Sequence, residues 1–171
     1  MKLRQRFLSA WILAACFAWI LAGCSGSAGQ EAPAPFSALT WEASYEDLTR
    51  LEGEPLTTYD SVYGGTACTY AKEYKGQKGT LKYMFDDNNQ LMCIAWAYET
   101  ADPSQLDSVY TALHEEVVER YGESGYNPDN PTSYGDVWYL DSGHIILSAI
   151  TTGNQCALQY AYLNPLASDP E

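Results

Sequence analysis

Basic side chains are scarce in this chain. Nine Lys and Arg stand against 22 Asp and Glu in 171 residues, and Lys2, Arg4 and Arg6 account for three of the nine. No acidic residue precedes Cys24, so the part that begins there holds six bases against all 22 acids, a net of −16. A surface of that sign repels phosphate backbones and anionic headgroups, and no basic cluster overrides it locally, so nucleic acid is not an expected partner. Histidine is rarer still. His114 and His144 are the only two, without an H-E-x-x-H pair or a third ligand at metal spacing, so a zinc site has no support. G-x-S-x-G, the P-loop and G-x-G-x-x-G are missing as well. Nucleophilic and phosphate chemistry lose their usual sequence basis with them.

Cysteines in C-x-x-C spacing are also absent. Cys16 falls within an amino-terminal apolar run and Cys24 just after it, leaving Cys68, Cys93 and Cys156, an odd number that permits one disulfide at most. Cys68 and Cys93 fall on the first and third strands of an expected meander, about 9.6 Å apart at the usual strand spacing. A bridge needs Cα atoms within about 7 Å. The expectation is therefore three small apolar thiols and no disulfide.

The amino-terminal pattern is more explicit. Lys2, Arg4 and Arg6 precede an apolar run from Phe7 to Ile20 and then Leu21-Ala22-Gly23-Cys24, the order of a secretory signal. The run is shorter than the roughly 20 residues that a membrane-spanning helix needs. Leu-Ala-Gly-Cys resembles the bacterial lipobox, and the resemblance implies cleavage before Cys24, lipidation of Cys24 and an extracytoplasmic, membrane-anchored product. Residues 1–23 are thus expected as signal peptide. Residues 24–35, rich in Gly, Ser, Ala and Pro, are expected as a flexible tether. Residues 36–165 have the size of one domain, and 166–171 read as a disordered tail.

Within that domain the longest helical pattern runs from Asp102 to Gly122. Asp102 suits the N-cap, Pro103 the first turn, Gln105 a capping-box partner, and Gly122 a left-handed end. Leu106, Val109, Tyr110, Leu113, Val117 and Tyr121 form an apolar stripe, leaving Asp107, Glu115, Glu116 and Glu119 toward water. A shorter helix begins at Ser44, with Asp47 three residues on, and ends at Gly53 and Pro55. Each helix is followed by a loop, 56–65 or 123–133. After the first loop come strand candidates at 66–74, 80–85 and 90–98; after the second they lie at 134–140, 144–151 and 155–163. Asn89-Gln90 to Trp96-Ala97-Tyr98 parallels Asn154-Gln155 to Tyr160-Ala161-Tyr162, with a slip of one residue.

The expected fold class is α+β: two layers, a tandem αβββ repeat with halves at about 36–100 and 101–165, and an antiparallel sheet with two helices on one face. On the third strand Ile94, Trp96 and Tyr98 share one side and Cys93, Ala95 and Ala97 the other. Leu158, Tyr160 and Tyr162 similarly oppose Ala157, Gln159 and Ala161. The large sets are assigned to the helix-packed side and the small sets to the open side.

The tandem helix-plus-meander order, with a helix closing on Gly53-Glu54-Pro55, resembles the beta-lactamase inhibitory protein architecture and the related small outer-membrane assembly lipoproteins. Thr40-Trp41-Glu42-Ala43-Ser44 through Gly53, Tyr83-Met84-Phe85-Asp86-Asp87 and Arg120-Tyr121-Gly122 resemble a group of uncharacterised lipoproteins from Gram-positive gut bacteria. The likeness covers about 40 to 163 and implies a fold rather than an activity. This chain has two halves where the assembly lipoproteins have one.

No catalytic, cofactor-binding or metal-binding residue emerges. Asp86-Asp87-Asn88-Asn89 lacks the later Gly and Glu of a calcium loop and suits a hairpin turn. With so many carboxylates, close pairs arise by number alone, and nothing nearby gives one a raised pKa. The expected function is that of a non-enzymatic module binding a protein or envelope component through the open sheet face or the two loops. The alternatives are an enzyme on envelope polymers and a small-ligand carrier.

Overall fold

The computed structural model describes residues 32–127, 133–167 and the backbone of 129–130; the expected signal peptide and Cys24 lie outside the described residues. Helix α1 (Tyr45–Glu52) precedes strands β1 (Thr57–Asp60), β2 (Gly64–Tyr74), β3 (Gln77–Asp86) and β4 (Leu91–Thr100). Helix α2 (Pro103–Tyr121) precedes β5 (Asp129–Asn130), β6 (Ser133–Leu140), β7 (Gly143–Thr152) and β8 (Gln155–Leu163), and a 3-10 turn, Pro165–Ala167, follows. The strands form one antiparallel sheet in the order β1-β2-β3-β4-β8-β7-β6-β5, so the fold is α+β. Its two sets of strands meet through their last members. Ile94 faces Tyr162 and Trp96 faces Tyr160 across that seam.

Local sequence explains the helix ends. At α1, Ser44 and Asp47 form a reciprocal capping box. At α2, Asp102 accepts from Ser104 N at 2.9 Å. Gln105 does not close a box there; its Oε1 accepts from Thr100 Oγ1 at 2.9 Å, tying the helix start back to β4. Gly122 has φ +83° and sends its N–H to Val118 O, an end that a side chain would strain.

Strand β3 starts three residues before its expected position, because the β2–β3 turn needs only Lys75 and Gly76. Both take positive φ, 51° and 76°, a pair of left-handed residues matching the twist of a two-residue hairpin. The polar segments Gln77-Lys78-Gly79, expected as turn, can therefore pair with Tyr74 back to Lys72. Strands β1 and β5 were both expected to be loop. They are short, polar edge strands, and β1 is exposed along its length, so neither carries an alternating apolar pattern.

The main core fills the side of the sheet that bears Tyr83, Ile94, Trp96, Leu158, Tyr160 and Tyr162. Leu48 from α1 and Leu106, Leu113 and Val117 from α2 belong to the same cluster. The segment between residues 34 and 43 also joins it, since Ala34, Phe36, Leu39 and Ala43 are buried. Phe36 packs edge-on against Tyr74, Tyr160 and Tyr162 with centroids 5.3 to 5.9 Å away. Burying a ring of that size stabilises by roughly 1.5–3 kcal/mol. The packed chain thus begins at or before Ala34, inside the stretch expected as tether. At the other end Leu166 and Ala167 belong to the 3-10 turn rather than to a tail.

Candidate functional site

The assignment of large and small residues to the two sides of the sheet is borne out. Cys93, Ala95 and Ala161 form a separate small cluster on the side away from the main core, packed by Tyr63, Met84, Ile146 and Leu163. Registers carry this second side across the sheet. β3 contributes Lys78, Thr80, Lys82 and Met84; β4 contributes Cys93, Ala95, Ala97 and Glu99. β8 and β7 add Ala157, Gln159, Ala161 and Leu163, then His144, Ile146, Ser148 and Ile150. Glu99 is the sole carboxylate in these four sets, in a chain of 22 acids.

Large apolar side chains border this face from both edges. Tyr59 on β1 pairs with Ala67, so it lies on the same side; it is exposed, as is Val62 in the following loop. At the opposite edge Tyr126 bridges to Val137 and is 56% exposed, and Tyr139 is 60% exposed with its ring edge-on to His144 at 4.9 Å. The two loops singled out from sequence therefore end at opposite margins of one surface. Lysines are also clustered: Lys72, Lys75, Lys78 and Lys82 all lie on the β2–β3 hairpin. Lys75 Nζ stands 2.6 Å from Glu116 Oε2, at an angle that is not that of a hydrogen bond, and Tyr74 OH donates to Glu116 Oε1 at 2.7 Å. Glu116, expected toward water, is turned to this sheet edge instead.

A second constellation lies on the helix side, at the edge formed by α2 and β6. Asp136, 2% exposed, accepts at Oδ1 from Ser124 Oγ (2.6 Å) and Asn127 Nδ2 (2.8 Å). At Oδ2 it accepts from the Tyr110 hydroxyl, and His114 Nε2 stands 3.4 Å away. A buried carboxylate is tolerable when hydrogen-bonded in this way. Burial and the Asp136 carboxylate both raise the Tyr110 phenol well above its ordinary range, so it remains a donor. Tyr134, edge-on to Tyr110 at 4.7 Å, donates to Asp107. Tyr110, His114, Asn127, Tyr134 and Asp136 line a cavity of about 350 Å³.

His114 is a boundary residue of α2, its side chain 31% exposed. Its Nε2 stands 3.4 Å from Asp136 Oδ2, and its ring stacks on Tyr110 at 6.1 Å. Only the strand register brings Asp136 to α2, and no local spacing announces it. Ser124 and His114 bind different oxygens of that carboxylate, so they do not form a nucleophile–base pair. Asp86 Oδ1 accepts from Asn88 N and Gln90 N, which makes Asp86–Asn89 a hairpin turn closed by its own side chain. Cys68 is in the main core, Cys93 in the second cluster with β3 between them, and Cys156 pairs with Thr100 far along β4; all three are buried thiols.

Among the described residues no group of three or more His, Cys, Asp or Glu is arranged to hold a metal ion, and no helix is long and apolar enough to cross a membrane. Comparison with family models, curated proteins and solved structures returned no match.

Proposed function

We propose that this chain is a membrane-anchored extracytoplasmic lipoprotein without catalytic activity, whose uncovered sheet face binds a protein or envelope component. The supporting observation is the distribution of charge. A chain with a net of −16 after Cys24 bears a single carboxylate, Glu99, on the four central strands of that face. Solubility favours acids everywhere on an exposed surface, so their depletion, together with the bordering tyrosines, is the composition of a surface that becomes covered. The anchor part of the proposal rests on Lys2 to Cys24. Kinship with the lipoproteins that Thr40–Gly53 and Tyr83–Asp87 resemble belongs to the same reading.

The test compares pull-downs from native membranes by the lipidated wild type and by Gln159→Arg, which places a long charged side chain in the middle of the face. A component retained by the first and lost by the second supports the reading. Equal recovery by both removes the sheet face from it.

A further inference from the structure

The cavity between α2, the loop after it and β6 carries a second assignment, independent of the open sheet face. Its floor is already satisfied. Oδ1 of Asp136 accepts from Ser124 and Asn127 and Oδ2 from Tyr110, so three hydrogen bonds already compensate the buried carboxylate. What the lining offers a ligand is the remainder of those donors and their neighbours. His114 Nε2 stands 3.4 Å from Asp136 Oδ2, and Nδ1 has no hydrogen-bond partner among the described residues. Asn127 uses its amide nitrogen and leaves its amide oxygen. Thr111, exposed on α2, adds a hydroxyl that both donates and accepts. Tyr110 and Tyr134 supply aromatic surface, and Asp107 fixes the Tyr134 hydroxyl at the rim.

That inventory selects by chemistry. No Lys or Arg lines the cavity, so a phosphate, sulfate or carboxylate would meet no compensating charge. An alkyl ligand would leave the His114, Asn127 and Thr111 polar atoms unpaired on desolvation. A neutral ring that alternates C–H patches with hydroxyls meets both requirements, placing C–H against tyrosine and O–H against the polar atoms of His114, Asn127 and Thr111. A volume of about 350 Å³ lies at the small end of ordinary ligand cavities. We infer that this cavity is a binding site for a neutral mono- or disaccharide, held by His114, Asn127, Thr111, Tyr110 and Tyr134.

The experiment titrates the full mature chain with glucose, N-acetylglucosamine, maltose and cellobiose, with glucosamine and glucuronate as charged counterparts, followed by amide chemical shifts. Saturable shifts at Thr111, His114, Asn127 and Gly135 are expected for at least one neutral sugar, with a dissociation constant of about 1 mM or tighter. Thr111→Trp, a substitution at an exposed helix position, fills the cavity mouth and should weaken binding at least about tenfold, or about 1.4 kcal/mol, with shifts elsewhere unchanged. The assignment is overturned if no neutral sugar saturates these amides, if a charged counterpart binds more tightly, or if Thr111→Trp binds like wild type. None of these outcomes depends on the sheet face or on the lipid anchor.

Discussion

Ala97 on β4 and Gln159 on β8 are register partners across the seam where the two sets of strands meet. Ala97 is half-buried and Gln159 exposed, on the side of the sheet opposite the main core. Replacing Gln159 by Arg therefore adds a charge to a surface without disturbing packing beneath it. The unfolding free energy should change by no more than about 0.5 kcal/mol, measured by urea denaturation, while partner retention is lost. A variant that unfolds readily would show that the residue supports the fold instead.

Asp136 lends itself to the opposite expectation. Asp136→Ala removes the acceptor for Tyr110, Ser124 and Asn127 at once and leaves three partly buried donors unpaired. A loss of about 2–4 kcal/mol should follow, again by urea denaturation. Amide exchange in residues 123–127 should quicken at the same time, because Ser124 and Asn127 anchor that loop. A loss under about 0.5 kcal/mol would mean that the carboxylate is not the anchor.

The contrast between these two sites explains what was legible in the sequence. The alternation of Cys93, Ala95 and Ala97 with Ile94, Trp96 and Tyr98 is a local period-two pattern, so the faces of β4 could be assigned before the fold was seen. Ser44 with Asp47 and Asp102 with Pro103 are equally local, and both helices begin where these residues place them. Asp136 and His114 are 22 positions apart and meet only through the pairing of β6 with β7 and the packing of α2, so no spacing encodes their contact. Strand β1 was hidden for another reason: Thr57–Asp60 is exposed on both sides and has no pattern to read. Ala34 was obscured by its setting in Pro- and Ala-rich sequence, which reads as tether although it packs on the core.

Alkaline pH should destabilise the protein in a defined window. Burial pushes the Tyr70 phenol from 10.0 up to about 12 and the Cys93 thiol from 9.0 up to about 12. Burial raises Tyr74, Tyr83, Tyr160 and Tyr162 further in the same direction. Between the unfolded and folded values the unfolded chain has released protons that the folded chain still holds, so unfolding is favoured as pH rises. Stability is fully present below about pH 9 and declines through about pH 12, which urea midpoints across that range would record. Midpoints unchanged up to about pH 11 would contradict the burial of these groups. In the same preparations Cys93 should resist alkylation at neutral pH until the chain is unfolded.

The proposed anchor has its own test at Cys24. Cys24→Ala should accumulate an unprocessed precursor without fatty-acid label, since the thiol is the atom to be acylated. Any processed product should leave the membrane, because a net charge of −16 after Cys24 repels anionic headgroups. Normal label incorporation in the variant would refute lipidation at this residue.

Site-resolved photo-crosslinking in native membranes tests the binding face most directly. A photoreactive side chain is placed at Gln159 or Ser148 on the acid-poor face, or at Glu115 or Glu119 on the outer side of α2. The account predicts one discrete crosslinked species from Gln159 and Ser148 that is absent from both helix positions. Crosslinks from α2 with none from Gln159 and Ser148 would contradict it.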